Sequence, residues 1–154
     1  MNDTITIRRA TIDDLETVVR YNAALADETE DKSLDRSVLT SGVRRALEDD
    51  SLCAYYIAEL SGEPVGQTAV TFEWSDWRNG LFWWIQSVYV DARFRRKGVF
   101  RALCAHVQAA AKSQPDVCGL RLYVIRQNTL AIETYRNLGM TVSDYLLCEE
   151  DWAE

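Results

Sequence analysis

The chain is poor in the residues that build metal centres and disulfide frameworks. It has one histidine, His106, and its four cysteines (Cys53, Cys104, Cys118 and Cys148) are scattered with no C-x-x-C spacing. Zinc sites and disulfide scaffolds need clustered ligands or a secretory context. No metal is therefore expected, and the thiols read as reduced, mostly small fillers of the core. A cysteine nucleophile has no evident histidine partner. Long apolar runs are missing too: nothing approaches the roughly 20 residues of a membrane span, and MNDTITIRRATIDD lacks the apolar region of a secretory signal. The expectation is a cytoplasmic protein with no membrane partner. Positive charge is scarce, 17 Lys and Arg against 24 Asp and Glu for a net charge of −7, with a pI near 4.8. General nucleic-acid binders spread a basic face over phosphates, so no nucleic-acid partner is expected. An acidic chain suits a small cationic partner better. With two prolines, no repeat, no low-complexity tract and no linker, residues 1–154 read as one domain.

What is present reads in order. Thr4–Arg8 opens as a short strand, and Ile12, Leu15, Val19, Asn22/Ala23 and Ala26 follow at helical spacing after Thr11. ADETEDKSLD, with five carboxylates against one lysine, reads as a solvated loop. Leu39, Val43 and Leu47 mark a second helix. CAYYIAEL, the turn SGEP and VGQTAVTFEW read as a hairpin. LFWWIQSVYV reads as a long central strand buried on both faces. Val99, Leu103, Val107 and Ala110 give a helix to Lys112, GLRLYV a strand, and Asn128–Leu138 a short helix stopped by Gly139. MTVSDYLLCEE supplies one or two last strands. The pattern implies an α/β (α+β mixed) fold, a sheet flanked by helices.

Five of the 17 basic residues fall within nine positions: Arg93, Arg95, Arg96, Lys97 and Arg101. They lie where a strand passes through a turn with Gly98 into a helix. A helix N-terminus exposes unpaired N–H groups and the positive end of the helix dipole, which suits phosphate or pyrophosphate. The alternative is a solvated basic face, although positive charge there opposes the dipole. Neither G-x-x-x-x-G-K-[ST] nor G-x-G-x-x-G occurs.

VYVDARFRRKGVFRALCAHV resembles the acetyl-CoA-binding motif of the GNAT acyltransferase superfamily: a strand, then Arg/Gln-x-x-Gly-x-Gly/Ala, then a helix, here Arg95-Arg96-Lys97-Gly98-Val99-Phe100. LYVIRQNTLAIETYRNLGM is similar to the family's second signature, matching it at Asn128, Ala131, Tyr135, Gly139 and Met140. IRRATIDDLETVV resembles the family's opening strand and helix, and AYYIAELSGEPVGQTAV its first hairpin. The resemblance covers nearly the whole chain. It implies a GNAT-like fold with a central, mostly antiparallel sheet of 6–7 strands and about four helices.

It also implies residue roles. The strand segment Val88, Tyr89, Val90 pairs with the pantetheine arm through its backbone, and the turn from Arg95 through Arg96, Lys97, Gly98, Val99 and Phe100 to Arg101 holds the pyrophosphate. Phe100 stands where the family has Gly or Ala: its ring either crowds the pyrophosphate or turns into the helix–sheet interface. Asn128 caps its helix and, by resemblance, touches the pantetheine arm. Tyr135, otherwise a core tyrosine, matches the position whose hydroxyl protonates the leaving thiolate. Some family members carry a glutamate base near the position of Trp84; here neither Trp84 nor Gln86 is basic. Glu73 is the nearest carboxylate, with a solvent-facing strand end or a water chain as alternatives. Trp74, Trp77, Trp83 and Trp84, with Phe72 and Phe82, are expected mostly in the core, some lining an acceptor pocket. His106 is expected on the surface.

The expected activity is N-acetylation: acetyl-CoA as co-substrate, a small-molecule primary amine as acceptor, and direct attack in a ternary complex. The alternative is a CoA-binding sensor or regulatory module without catalysis. A nucleic-acid-binding turn is a remote third reading. Such small acyltransferases commonly form homodimers.

Overall fold

The structure, a computed structural model, describes residues 4–153. The chain divides into two compact units, one ending at Tyr123 and one beginning at Val124. The first unit holds a five-stranded sheet in the order β1-β2-β3-β4-β5: β1 (Ile5–Arg9), β2 (Ala54–Leu60), β3 (Glu63–Ser75), β4 (Gly80–Val90) and β5 (Val117–Leu122). The first four pair antiparallel and β5 joins β4 in parallel. Such a parallel step requires a crossover, and α3 (Val99–Lys112) supplies it. The mixed α/β class and four helices are as expected; the strand count is five rather than 6–7. Residues 140–153 form no strand among the described residues. The alternating pattern of MTVSDYLLCEE is not enough, because a strand exists only where a neighbour completes its ladder. β4 also lies second from the end of the sheet, with β3 at its centre.

Helices α1 (Leu15–Glu30) and α2 (Arg36–Glu48) cover one face of the sheet, where Val18, Val19 and Val43 pack on Tyr55, Ile57 and Ala69. α3 covers the other: Val107 packs with Ala54, Tyr56, Val70 and Ile85, and Val99 and Leu103 with Ala58, Val65 and Val90. Each helix obeys the i, i+4 rule of an amphipathic stripe. A capping box starts the first helical turn: the buried Asp14 accepts from the Thr11 N–H (2.8 Å) and from Arg8 Nη1 and Nη2 (2.8 and 2.9 Å). α1 runs four residues beyond the expected Ala26, so Asp27, Glu28 and Glu30 are helical and the acidic loop is shorter than its composition suggests.

The second unit carries α4 (Thr129–Asn137). Asn128 Oδ1 accepts from the Ala131 N–H at 3.2 Å, which satisfies one orphan donor of the first turn. At the other end the amides of Gly139 and Met140 return to the carbonyls of Arg136 and Tyr135, a Schellman closure.

Candidate active site

The last residues of β4 and the first turn of α3 form the core of the site. Asp91 follows β4; its N–H bonds to Val65 O on β3 (3.0 Å) and its carboxylate caps the single turn Ala92–Phe94. Arg96 (φ 65°) and Gly98 (φ 85°) then take left-handed backbone, and α3 begins at Val99 with no side chain capping it. A Cβ built on Gly98 meets nothing within 4 Å, so the glycine serves the backbone angle and leaves the approach to the helix end clear. Arg96, Lys97 and Arg101 are exposed around this end. Phe100 packs beside Val99, Leu103 and Val90 on the core, so its ring turns into the helix–sheet interface.

Two of the five clustered basic residues are paired with carboxylates of the protein. Arg93 pairs with Asp91 (2.9 Å) and Glu63 (3.4 Å). Arg95 bonds Val90 O through Nε (3.0 Å), pairs with Glu28 on α1 (2.5 Å) and lies 5.5 Å from the Tyr89 ring centroid. The same Glu28 accepts from the Tyr89 hydroxyl at 3.1 Å. Burial first, and the Glu28 carboxylate second, push the Tyr89 phenol above its ordinary value. The end of α1 is thus tied to the end of β4 by one carboxylate. Reading the acidic segment as a loop hid Glu28; it falls seven residues after the buried Tyr21, on the same helical stripe.

Before the turn, β4 is paired on both edges only as far as Ile85, which lies opposite Leu122 of β5. Beyond it β3 alone pairs with β4 among the described residues, and the β3–β4 register slips between Gln67 and Ala69, where Ser87 takes φ 51°. Because Asp91 bonds back to β3 and backbone direction alternates along a strand, Val88 and Val90 present their amides at the unpaired edge. Arg95 already occupies the Val90 carbonyl there.

Glu73 and Arg121 form an ion pair between β3 and β5, and the guanidinium stands 3.7 Å from the Phe82 ring centroid. Trp84 stacks with Tyr123 at 4.6 Å on that face. The aromatic group divides: Trp83 meets Phe72 edge-on and packs with the α3-side core, while Trp74 and Trp77 are exposed. Asn128 caps α4 and Tyr135 lies within it, both in the second unit. His106 is half-buried, edge-on to Tyr56 at 5.2 Å, and burial lowers its pKa; it is not a plain surface histidine. Among the described residues no three His, Cys, Asp or Glu side chains gather to hold a metal, and no helix is long and apolar enough to cross a membrane.

An open strand edge running into an uncapped, basic helix start offers ladder bonds to an extended ligand and dipoles to an anion. The model of the acetyltransferase (GNAT) family matches residues 18–140, and the chain belongs to that family. Curated proteins yield no match. Among solved structures, "a possible acetyltransferase" from Clostridium difficile 630 is 43% identical, with a TM-score of 0.90, over 97% of this chain and 99% of that one. A "predicted acetyltransferase with acetyl-CoA" from Clostridium acetobutylicum shares the fold at 20% identity and TM-score 0.78, over 96% of each chain. So does a ribosomal-protein-alanine N-acetyltransferase from Brucella melitensis biovar Abortus 2308, at 15% and 0.78, over 97% of this chain and 100% of that one.

Proposed function

We propose that the chain is a single-domain, cytoplasmic N-acetyltransferase that moves an acetyl group from acetyl-CoA to a small primary amine. The observation that carries this reading is the β4 edge left unpaired beyond Ile85 and continuous with the uncapped start of α3. An acyl-CoA has the matching shape: an extended amide-bearing arm for the backbone of Val88, Tyr89 and Val90, and a pyrophosphate for the amides from Arg96 to Arg101. Arg96, Lys97 and Arg101 contribute charge, whereas Arg95 acts through its bond to Val90 and Glu28. Asn128 would meet the pantetheine arm.

An alkylammonium acceptor carries its proton near neutral pH and must lose it before its nitrogen attacks the thioester carbonyl. Strand amides at the open edge stabilise the charge that develops on that carbonyl oxygen. The carbon–sulfur bond then breaks, and Tyr135 returns a proton to the departing thiolate, a contribution of roughly 10²–10⁴-fold. Glu73 is the carboxylate proposed to draw the proton from the amine, directly or through water. Its pairing with Arg121 favours the water route, and also a second reading, a CoA-binding regulatory module without turnover. A homodimer is proposed as the assembly.

Calorimetric titration with acetyl-CoA tests the first reading, with Gly98→Glu as the control. Binding by the wild type, lost in a folded Gly98→Glu, supports the site at the turn; a folded wild type that binds no acetyl-CoA overturns it. CoA release across a panel of amines then separates transferase from regulatory module.

A further inference from the structure

We propose that Gln67, Asn22 and Tyr55 form a buried positioning network that holds Ser87 in its left-handed conformation and thereby sets the open edge of β4. The inference rests on the acetyl-CoA reading for its functional consequence, though not for the conformation itself. Serine does not take φ 51° unaided, since its Cβ crowds the backbone there, so surrounding contacts must over-determine it.

Those contacts run as a chain from Tyr55 through Asn22 and Gln67 to Ser87. At the bulge Gln67 lies opposite Tyr89 and Ala69 opposite Gln86, so Ser87 falls outside the regular ladder. Side chains of β3 replace the missing ladder bonds: Gln67 Nε2 donates to Ser87 O at 3.3 Å, and Thr68 Oγ1 donates to Gln86 O at 3.2 Å. Gln67 Nε2 also donates to Asn22 Oδ1 (2.9 Å), and Asn22 Nδ2 donates to the Tyr55 hydroxyl (3.0 Å). Ser87 is therefore held at its carbonyl by Gln67, whose amide is in turn held by Asn22 and, through Asn22, by Tyr55.

Stability alone does not account for glutamine here. Gln67 is 0% exposed, and its Oε1 has no partner among the described residues. Both partners of Nε2 are acceptors, which fixes the orientation of the amide. A buried amide with an unpaired acceptor is costlier than an apolar side chain of the same length. What the glutamine adds is the pair of N–H bonds that places Ser87. A bulge bends its strand and increases the local twist, and this one lies two residues beyond the last β4–β5 pair. Releasing Ser87 would let β4 straighten and move the Val88 amide.

The test is Gln67→Met, which keeps length and burial but removes the donors, compared with Gln67→Met/Ser87→Gly. Glycine takes positive φ without help, so the double variant should regain the bulge. Expected for the single variant are an unchanged or raised Tm, Ser87 Cα and Cβ chemical shifts that leave the left-handed range, and acetyl-CoA affinity lower by roughly tenfold or more. The double variant should recover most of that affinity. Unchanged Ser87 shifts in Gln67→Met would overturn the proposal, as would an affinity loss that tracks a falling Tm and is not recovered by Ser87→Gly. Should the wild type bind no acetyl-CoA, the functional reading fails, and the Ser87 shifts alone decide the network.

Discussion

Asp14 shows how much one carboxylate carries at the start of the fold. It is 6% exposed and accepts two bonds from Arg8 and one from the Thr11 amide. The guanidinium holds the carboxyl below its usual range and outweighs burial, which acts the other way. A depressed folded pKa stabilises the protein above the unfolded value, about 3.9, and the contribution is lost as pH falls through the lower folded value. Asp14→Asn should therefore cost about 2–3 kcal/mol at pH 7 in urea melts. The gap to wild type should narrow steadily below about pH 4, where the wild-type carboxylate is itself neutralised. The Glu28–Arg95 pair is a different case. Both side chains are about two-fifths exposed, so it contributes at most about 1 kcal/mol, and its importance is directional: it holds Arg95 where its Nε bonds Val90 O.

At the scale of elements, two glycines set how β3, β4 and α3 meet, for opposite reasons. A Cβ on Gly66 would lie 2.9 Å from the Tyr89 carbonyl oxygen and 3.1 Å from Val99 Cγ1. The first neighbour is backbone and cannot turn aside, so Gly66→Ala must push the strands or α3 apart. We expect a loss of about 1–3 kcal/mol together with weaker acetyl-CoA binding, because Val99 begins the helix proposed to hold the pyrophosphate. Gly98 has open space but φ 85°; Gly98→Ala should cost about 1–2 kcal/mol, and Gly98→Asn less, since asparagine visits that region more readily. Thermal melts of the three variants check the order.

For the whole molecule, burial sorts the four cysteines into two kinds. Burial pushes the Cys53 thiol up to about 11 and Cys104 to about 12, whereas Cys118 and Cys148 are exposed. A charged thiol reagent at pH 8 should therefore modify Cys118 and Cys148 quickly, and Cys53 and Cys104 only on unfolding. Reading all four as mostly core fillers was right for two. Composition cannot tell them apart, because exposure depends on which strand face or tail each occupies.

The sequence by itself determined the features that act over a few residues. Thr11 and Asn128 cap, Gly139 stops α4, the helical stripes of α1 and α3 have their 3.6-residue period, and Arg95–Gly98 marks the strand–turn–helix step, because caps, turns and periodicity are settled by neighbours in the chain. Only the tertiary structure decided which distant groups meet. Glu28 with Arg95, Glu73 with Arg121, Gln67 with Asn22 and Ser87, and the inward turn of Phe100 all join segments far apart in sequence. No local propensity encodes such pairings. They follow from the order in which strands add to the sheet and from the cost of leaving buried polar groups without partners.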